Sequence, residues 1–169
     1  DVTGTGPFTV TVSVPDGAEG TVTVSVDAGV TTDLAGNGNV ASNEVMVDVD
    51  RVAPVATVAH VGTSPTNAVL LEFTVMFNED VAVITADDVT LGGTATGTEI
   101  TDVTGTGPFT VTVSVPDGVE GTVVVSVDAG VTADLVGNAN VASNEVTVDA
   151  DRIAPSVSIV AGDSMIDVG

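Results

Sequence analysis

Cysteine, lysine, tryptophan and tyrosine are all missing from this 169-residue chain, and histidine occurs once. Without cysteine no disulfide braces the fold, and redox grounds assign no compartment. The single His60 has no nucleophile motif around it, so covalent and acid–base catalysis have almost nothing to use. Paired carboxylates such as Asp87-Asp88 could in principle cleave glycosides. Aromatic residues are only 2% of the chain, however, and no Trp or Tyr is present to form a sugar platform. An enzyme is therefore not expected, and neither is a carbohydrate-binding accessory module. Positive charge is equally scarce, with two Arg against 24 acids and a net charge of −22. Nucleic acid and anionic membrane surfaces are not expected partners of such a chain. It shows no signal peptide, membrane-spanning run or lipidation motif, which an internal piece of a longer protein would not show in any case.

What the chain has in quantity is valine (38), threonine (25) and glycine (19). Branched residues with few helix-forming runs call for an all-β protein. Alternation with period two is clean: Phe109, Val111, Val113 and Val115 share one face, and Thr110, Thr112 and Ser114 the other. Val69, Leu71, Phe73, Val75 and Phe77 alternate in the same way with Leu70, Glu72, Thr74 and Met76. Each run reads as a strand with one buried face. Turn signals between such runs predict seven strands, at about 54–60, 69–77, 88–91, 95–104, 108–115, 121–127 and 145–150. Residues 62–67, 105–107, 116–118 and the pair Gly92-Gly93 are expected to turn. Seven short strands at this spacing predict an immunoglobulin-like β-sandwich whose centre is filled by Val, Phe and Leu.

Residues 1–54 occur again at 102–155, a shift of 101 positions, with 46 of 54 residues identical. The eight exchanges are small or apolar, and no acid, Asn or Pro in the block changes. A period of 101 is long enough for each repeat to bury its own core, and too long for a solenoid unit. The expected division is the C-terminal half of one repeat at 1–50, a complete repeat at 51–151 and the start of a divergent one at 152–169. Residues 1–50 supply too few strands for a sandwich, so the parent protein is expected to continue upstream.

Three segments of the repeat carry a resemblance: Phe73-Thr74-Val75-Met76-Phe77-Asn78-Glu79, Asp134-Leu135-Val136-Gly137-Asn138, and the boundary Ala154-Pro155. Together with the strand pattern across the whole repeat, they resemble the bacterial Ig-like repeats of large secreted adhesins. Asp33-Leu34-Ala35-Gly36-Asn37 repeats the second of them, whereas Asp163-Ser164-Met165 departs from Ser64-Pro65-Thr66. The resemblance implies an extracellular or cell-surface stalk, often stiffened by calcium.

Fourteen acids against one Arg within 51–151 leave each repeat at −13. An array of such units repels itself unless cations screen or bind it. Strands alternating in direction gather Glu79, Asp80, Asp134, Asn138 and Asn140 at one end, around the entering Asp48 and Asp50. The turn Pro15-Asp16-Gly17 of the preceding repeat is expected to face them. Asp33, Asn37 and Asn39 repeat the loop positions in the first copy, and Asp151 repeats Asp50. Outward strand positions are mostly Thr, Ser or Val, so the acids concentrate at loops and junctions. Carboxylate and amide oxygens together suit Ca²⁺ best, so a structural Ca²⁺ is the expected cofactor, with unbound solvating surface charge as the alternative. The spacing Asp33, Asn37, Gly38, Asn39, Glu44 imitates an EF-hand loop, but Ala35 stands at a ligand position and no flanking helices are expected. Arg51 and Arg152 occupy equal places in two junctions, each beside acids; His60 reads as a surface or edge side chain.

Two functions compete. One is a stalk or spacer of a large extracellular adhesin or matrix fibre, holding a distal adhesive domain outside this chain. Its partners are neighbouring repeats of the same chain. The other is a self-assembling filament or surface-layer subunit, whose edge strands pair with like chains.

Overall fold

A computed structural model describes residues 1–3 and 6–160. The expected divergent unit from 152 onward falls partly on residues outside these, and 152–160 form no strand.

Among the described residues, four strands lie in the first copy: β1 (Val2–Thr3), β2 (Thr9–Val10), β3 (Glu19–Val24) and β4 (Val45–Asp50). Seven follow: β5 (Ala56–Val61), β6 (Leu70–Phe77), β7 (Val89–Gly93), β8 (Glu99–Gly105), β9 (Phe109–Ser114), β10 (Glu120–Val127) and β11 (Val146–Asp151). A 3-10 turn, Ala86–Asp88, precedes β7, with Asp88 accepting bonds from the Thr85 backbone and hydroxyl.

The seven strands of the second unit make two antiparallel sheets, β5-β6-β9-β8 and β11-β10-β7. Their inward residues meet in one core. Phe73, Val75, Val111, Val113, Val123, Val125 and Val127 are fully buried, and Phe109, Leu71 and Val148 nearly so. Each such side chain contributes roughly 1.5–3 kcal/mol through burial. Asn144 joins the sheets, accepting from the Val58 amide (3.0 Å) and donating to the Val58 carbonyl (2.9 Å). Further along, a parallel bridge sets Thr66 beside Ala150.

The strand reading from sequence stands, with three corrections. The strand expected at 95–104 begins only at Glu99, because residues 95–98 belong to the turn into it. Val69 lies just outside β6 and is 58% exposed, because the inward row begins at Leu71. Gly92-Gly93 is not a turn but the end of β7, paired with Val124 and Val123. At Gly93 (φ +111) a Cβ would stand 2.1 Å from the Thr122 carbonyl oxygen, so glycine serves close strand approach there. The chain turns instead at Thr96 and Gly97.

The first copy repeats the second in register. Glu19↔Asp50 and Val24↔Val45 match Glu120↔Asp151 and Val125↔Val146, and Val2↔Val10 matches Val103↔Val111. The expected arginine pairing appears in both: Arg51 with Asp16, and Arg152 with Asp117. His60 is half-buried, its ring 5.3 Å from that of Phe73, and this burial lowers its pKa.

Candidate metal centre at the repeat junction

Where β4 ends, the chain is fixed to the loops at one end of the second unit. Asn78, just past β6, accepts from the Val55 amide at 2.6 Å and donates its own amide to the Val55 carbonyl at 3.2 Å. This places the next residue, Glu79, beside the entering linker. The segment that follows is held to the long loop between β10 and β11. The Ala82 amide donates to the Ala133 carbonyl (3.0 Å), and the Thr132 hydroxyl to the Ala82 carbonyl (3.1 Å).

That long loop turns tightly around Asp134. Its Oδ1 accepts from the amides of Val136, Gly137 and Asn138 at 2.7–2.9 Å, and Oδ2 from the Asn138 side chain at 2.7 Å. The same Asn138 amide reaches the Asp50 carbonyl oxygen at 3.1 Å. Asn138 thereby ties the junction to the loop.

These anchors bring Asp50, Glu79 and Asp134 together, each half-buried, with one carboxylate oxygen from each lying within 4.8 Å of the others. The electrostatics are uneven. At Asp134, partial burial opposes ionisation, but the Asn138 side chain and three backbone amides outweigh it and lower the pKa. At Glu79, burial first and then the charges of Asp50, Asp134 and Glu19 raise it. Glu79 Oε1 is itself buried and has no hydrogen-bond partner. A buried anionic oxygen without a partner is costly, and a cation among the three carboxylates would satisfy it. The donor set, all hard oxygens, fits Ca²⁺ or a similar divalent ion.

The other sequence candidates stand apart from this trio. Asp48 accepts from the Thr21 hydroxyl (3.0 Å), Asp80 is exposed, and Asp151 caps the Ile153 amide as Asp50 caps that of Val52. Asn140, 3% exposed, braces its loop: it accepts from the Thr132 amide and donates to the carbonyls of Asp128 and Val141. Asn39 repeats this brace in the first copy, and Asp33 with Asn37 repeats the Asp134 turn. Sequence reasoning overlooked Glu19, whose charge acts on Glu79 from the preceding repeat. Its position just beyond the Pro15-Asp16-Gly17 turn was the available signal.

The two opposed shifts set a pH dependence. Glu79, with a folded pKa above its ordinary 4.5, favours folding fully only below that value and opposes it as pH rises through the folded pKa. Asp134, lowered from 3.8, contributes stability above that value and loses it as pH falls through the folded pKa. In chelator, the melting temperature of the wild type relative to Glu79→Gln should therefore rise as pH falls from 7 toward 4.5. Relative to Asp134→Asn, it should fall below about pH 3.8. Parallel pH profiles for all three proteins would contradict these shifts.

A two-sheet, Val-centred sandwich with this junction defines an immunoglobulin-like module. The profile of the bacterial Ig-like domain family matches residues 50–150, and the chain belongs to that family. No curated protein and no solved structure matches the chain. Domains of the family are typically structural modules of extracellular or surface proteins. No helix among the described residues is long and apolar enough to cross a membrane.

Proposed function

We propose that the chain is a spacer segment of a large extracellular adhesin or matrix fibre, built from tandem Ig-like repeats and stiffened by Ca²⁺ at their junctions. On this reading the units are 1–50, 51–151 and 152 onward, and near-identical copies add reach rather than new sites. A strand of about eight residues spans roughly 26 Å, so a repeat with its loops extends about 35–45 Å. The observation that carries the proposal is the convergence of Asp50, at the end of one repeat, with Glu79 and Asp134 of the next. Asp50, Glu79 and Asp134 would hold the ion, which would turn repulsion between repeats into a bridge. Pro54 restricts the linker further.

The test is small-angle scattering on two complete repeats. In Ca²⁺ the wild-type pair should be extended and rigid, and Asp50→Asn with Asp134→Asn should broaden the interdomain angle while both repeats stay folded. Identical extended profiles, with or without chelator, would assign the stiffness to packing and linker alone.

The filament alternative gains little from the edges. The ladder between β8 and β9 is irregular between Ile100 and Asp102, and β8 carries Glu99 and Asp102. Irregular, acidic edges discourage strand addition. Negative-stain images distinguish the two, as isolated beaded threads or as ordered bundles.

A further inference from the structure

Of the eight asparagines in the chain, Asn37 alone is followed by glycine; the same loop in the second copy reads Asn138-Ala139. The backbone does not call for that glycine. Gly36 (φ +88) and Gly137 (φ +101) hold a conformation that L side chains rarely adopt, and both copies keep glycine there. Gly38 lies outside that region, and its bridge to Thr32 is matched by the bridge of Ala139 to Ala133. A Cβ on Gly38 would come no closer than 3.4 Å to a neighbour, the Gly29 Cα. Glycine at 38 therefore changes little in the fold. It changes the chemistry of Asn37.

An asparagine carboxamide is open to attack by the backbone nitrogen of the next residue. The attack is easiest where that residue has no Cβ to restrict the approach. Among the described residues the Gly38 amide donates to no group, whereas the amides on either side are engaged. The Asn37 amide donates to Asp33 Oδ1 at 2.9 Å, and that of Asn39 to the Thr31 carbonyl at 3.0 Å. The Asn37 side chain is held from Nδ2 to Asp33 Oδ2 at 3.0 Å, which leaves its Cγ beside an uncommitted nitrogen.

We propose that Asn37-Gly38 is a site of spontaneous deamidation, and that the Gly-to-Ala exchange between copies decides which loop ages. The Gly38 nitrogen bonds to the Asn37 Cγ, the Cγ–Nδ2 bond breaks, and ammonia leaves with the amide proton to give a succinimide. Water then opens one of the two ring carbonyls. The product is aspartate or, with the main chain rerouted through Cγ, isoaspartate. Either one replaces a donor with a carboxylate set directly against that of Asp33. The Nδ2 bond is lost, like charges meet, and the turn in which Asp33 Oδ1 holds the Ala35 and Asn37 amides loosens. In the second copy the same carboxamide also donates to the Asp50 carbonyl. On the repeat division proposed above, ageing at this position releases a tie between units, and a copy with alanine keeps it. That consequence depends on the repeat reading; the reaction at Asn37 does not.

The test is incubation of the whole chain in mildly alkaline buffer, followed by peptide mapping with mass spectrometry. The peptide covering Asn37 should gain the mass of an amide-to-acid exchange and split into aspartate and isoaspartate forms. The peptide covering Asn138 should stay unchanged over the same period. Gly38→Ala, which copies the second loop and so keeps the fold, should slow the loss of Asn37 roughly 10-fold or more. Ala139→Gly should make Asn138 a second reactive position. In the aged protein, and in Asn37→Asp from the start, hydrogen exchange at the Ala35 and Asn37 amides should quicken. Equal rates at Asn37 and Asn138 in the wild type would overturn the proposal. So would loss of Asn37 at an unchanged rate in Gly38→Ala, or an Asn37 that outlasts the other asparagines.

Discussion

In 5 mM Ca²⁺ the 51–151 unit should melt several degrees above its temperature in excess chelator, at matched ionic strength. Binding to the folded state alone stabilises it in proportion to the logarithm of ligand over dissociation constant. A site with few protein ligands on an extracellular module belongs near 10⁻⁴–10⁻³ M, which gives roughly 1–2 kcal/mol at this concentration. For a domain near 100 residues that amounts to about 4–10 °C. Glu79→Gln and Asp134→Asn should each remove most of the gain. Mg²⁺ should give less, because it dehydrates reluctantly and demands octahedral geometry that three loosely arranged carboxylates do not impose. Coincident melting curves with and without Ca²⁺ would leave the trio as solvating charge.

The second large effect comes from one residue type in two settings. Phe109→Ala should destabilise the second unit by about 3–5 kcal/mol, because Phe109 is 1% exposed and fills the centre between the sheets. Its melting temperature should drop by more than about 10 °C. Phe8→Ala removes the same side chain from the equivalent strand position, yet Phe8 is 69% exposed, and the melt should shift by less than about 0.5 kcal/mol. Equal shifts from the two substitutions would mean that Phe8 is covered in solution by some other part of the chain.

The alternation of Phe109 to Val115 and of Leu71 to Phe77 made the core strands legible, because a one-residue slip would put every Val in water. The junction trio was legible as a neighbourhood, since alternating strands sort loops to two ends, but not as a trio. Which of the seven acids and amides gathered there converge depends on Asn78, Asn138 and Thr132, whose bonds fix the loops and carry no periodic signal. Asn140 had the same composition-level credentials as Asn138, yet it is buried and spent on backbone groups. Gly92-Gly93 misled for a similar reason: glycine marks turns and close strand approaches alike, and only the partner strand decides between them.

The path of the chain through the sandwich has a mechanical consequence. Residue 56 enters at one end of β5 and residue 151 leaves at the far end of β11, and the two strands lie in different sheets with parallel bridges at 55–141 and 66–150. A pull on the two ends therefore drags β5 along the length of β6, and β11 along β10, in opposite directions. The six residue pairs of each ladder are loaded at once, in shear, instead of being peeled apart one after another. Tension between the two ends of the unit is thus borne along the length of both ladders at once.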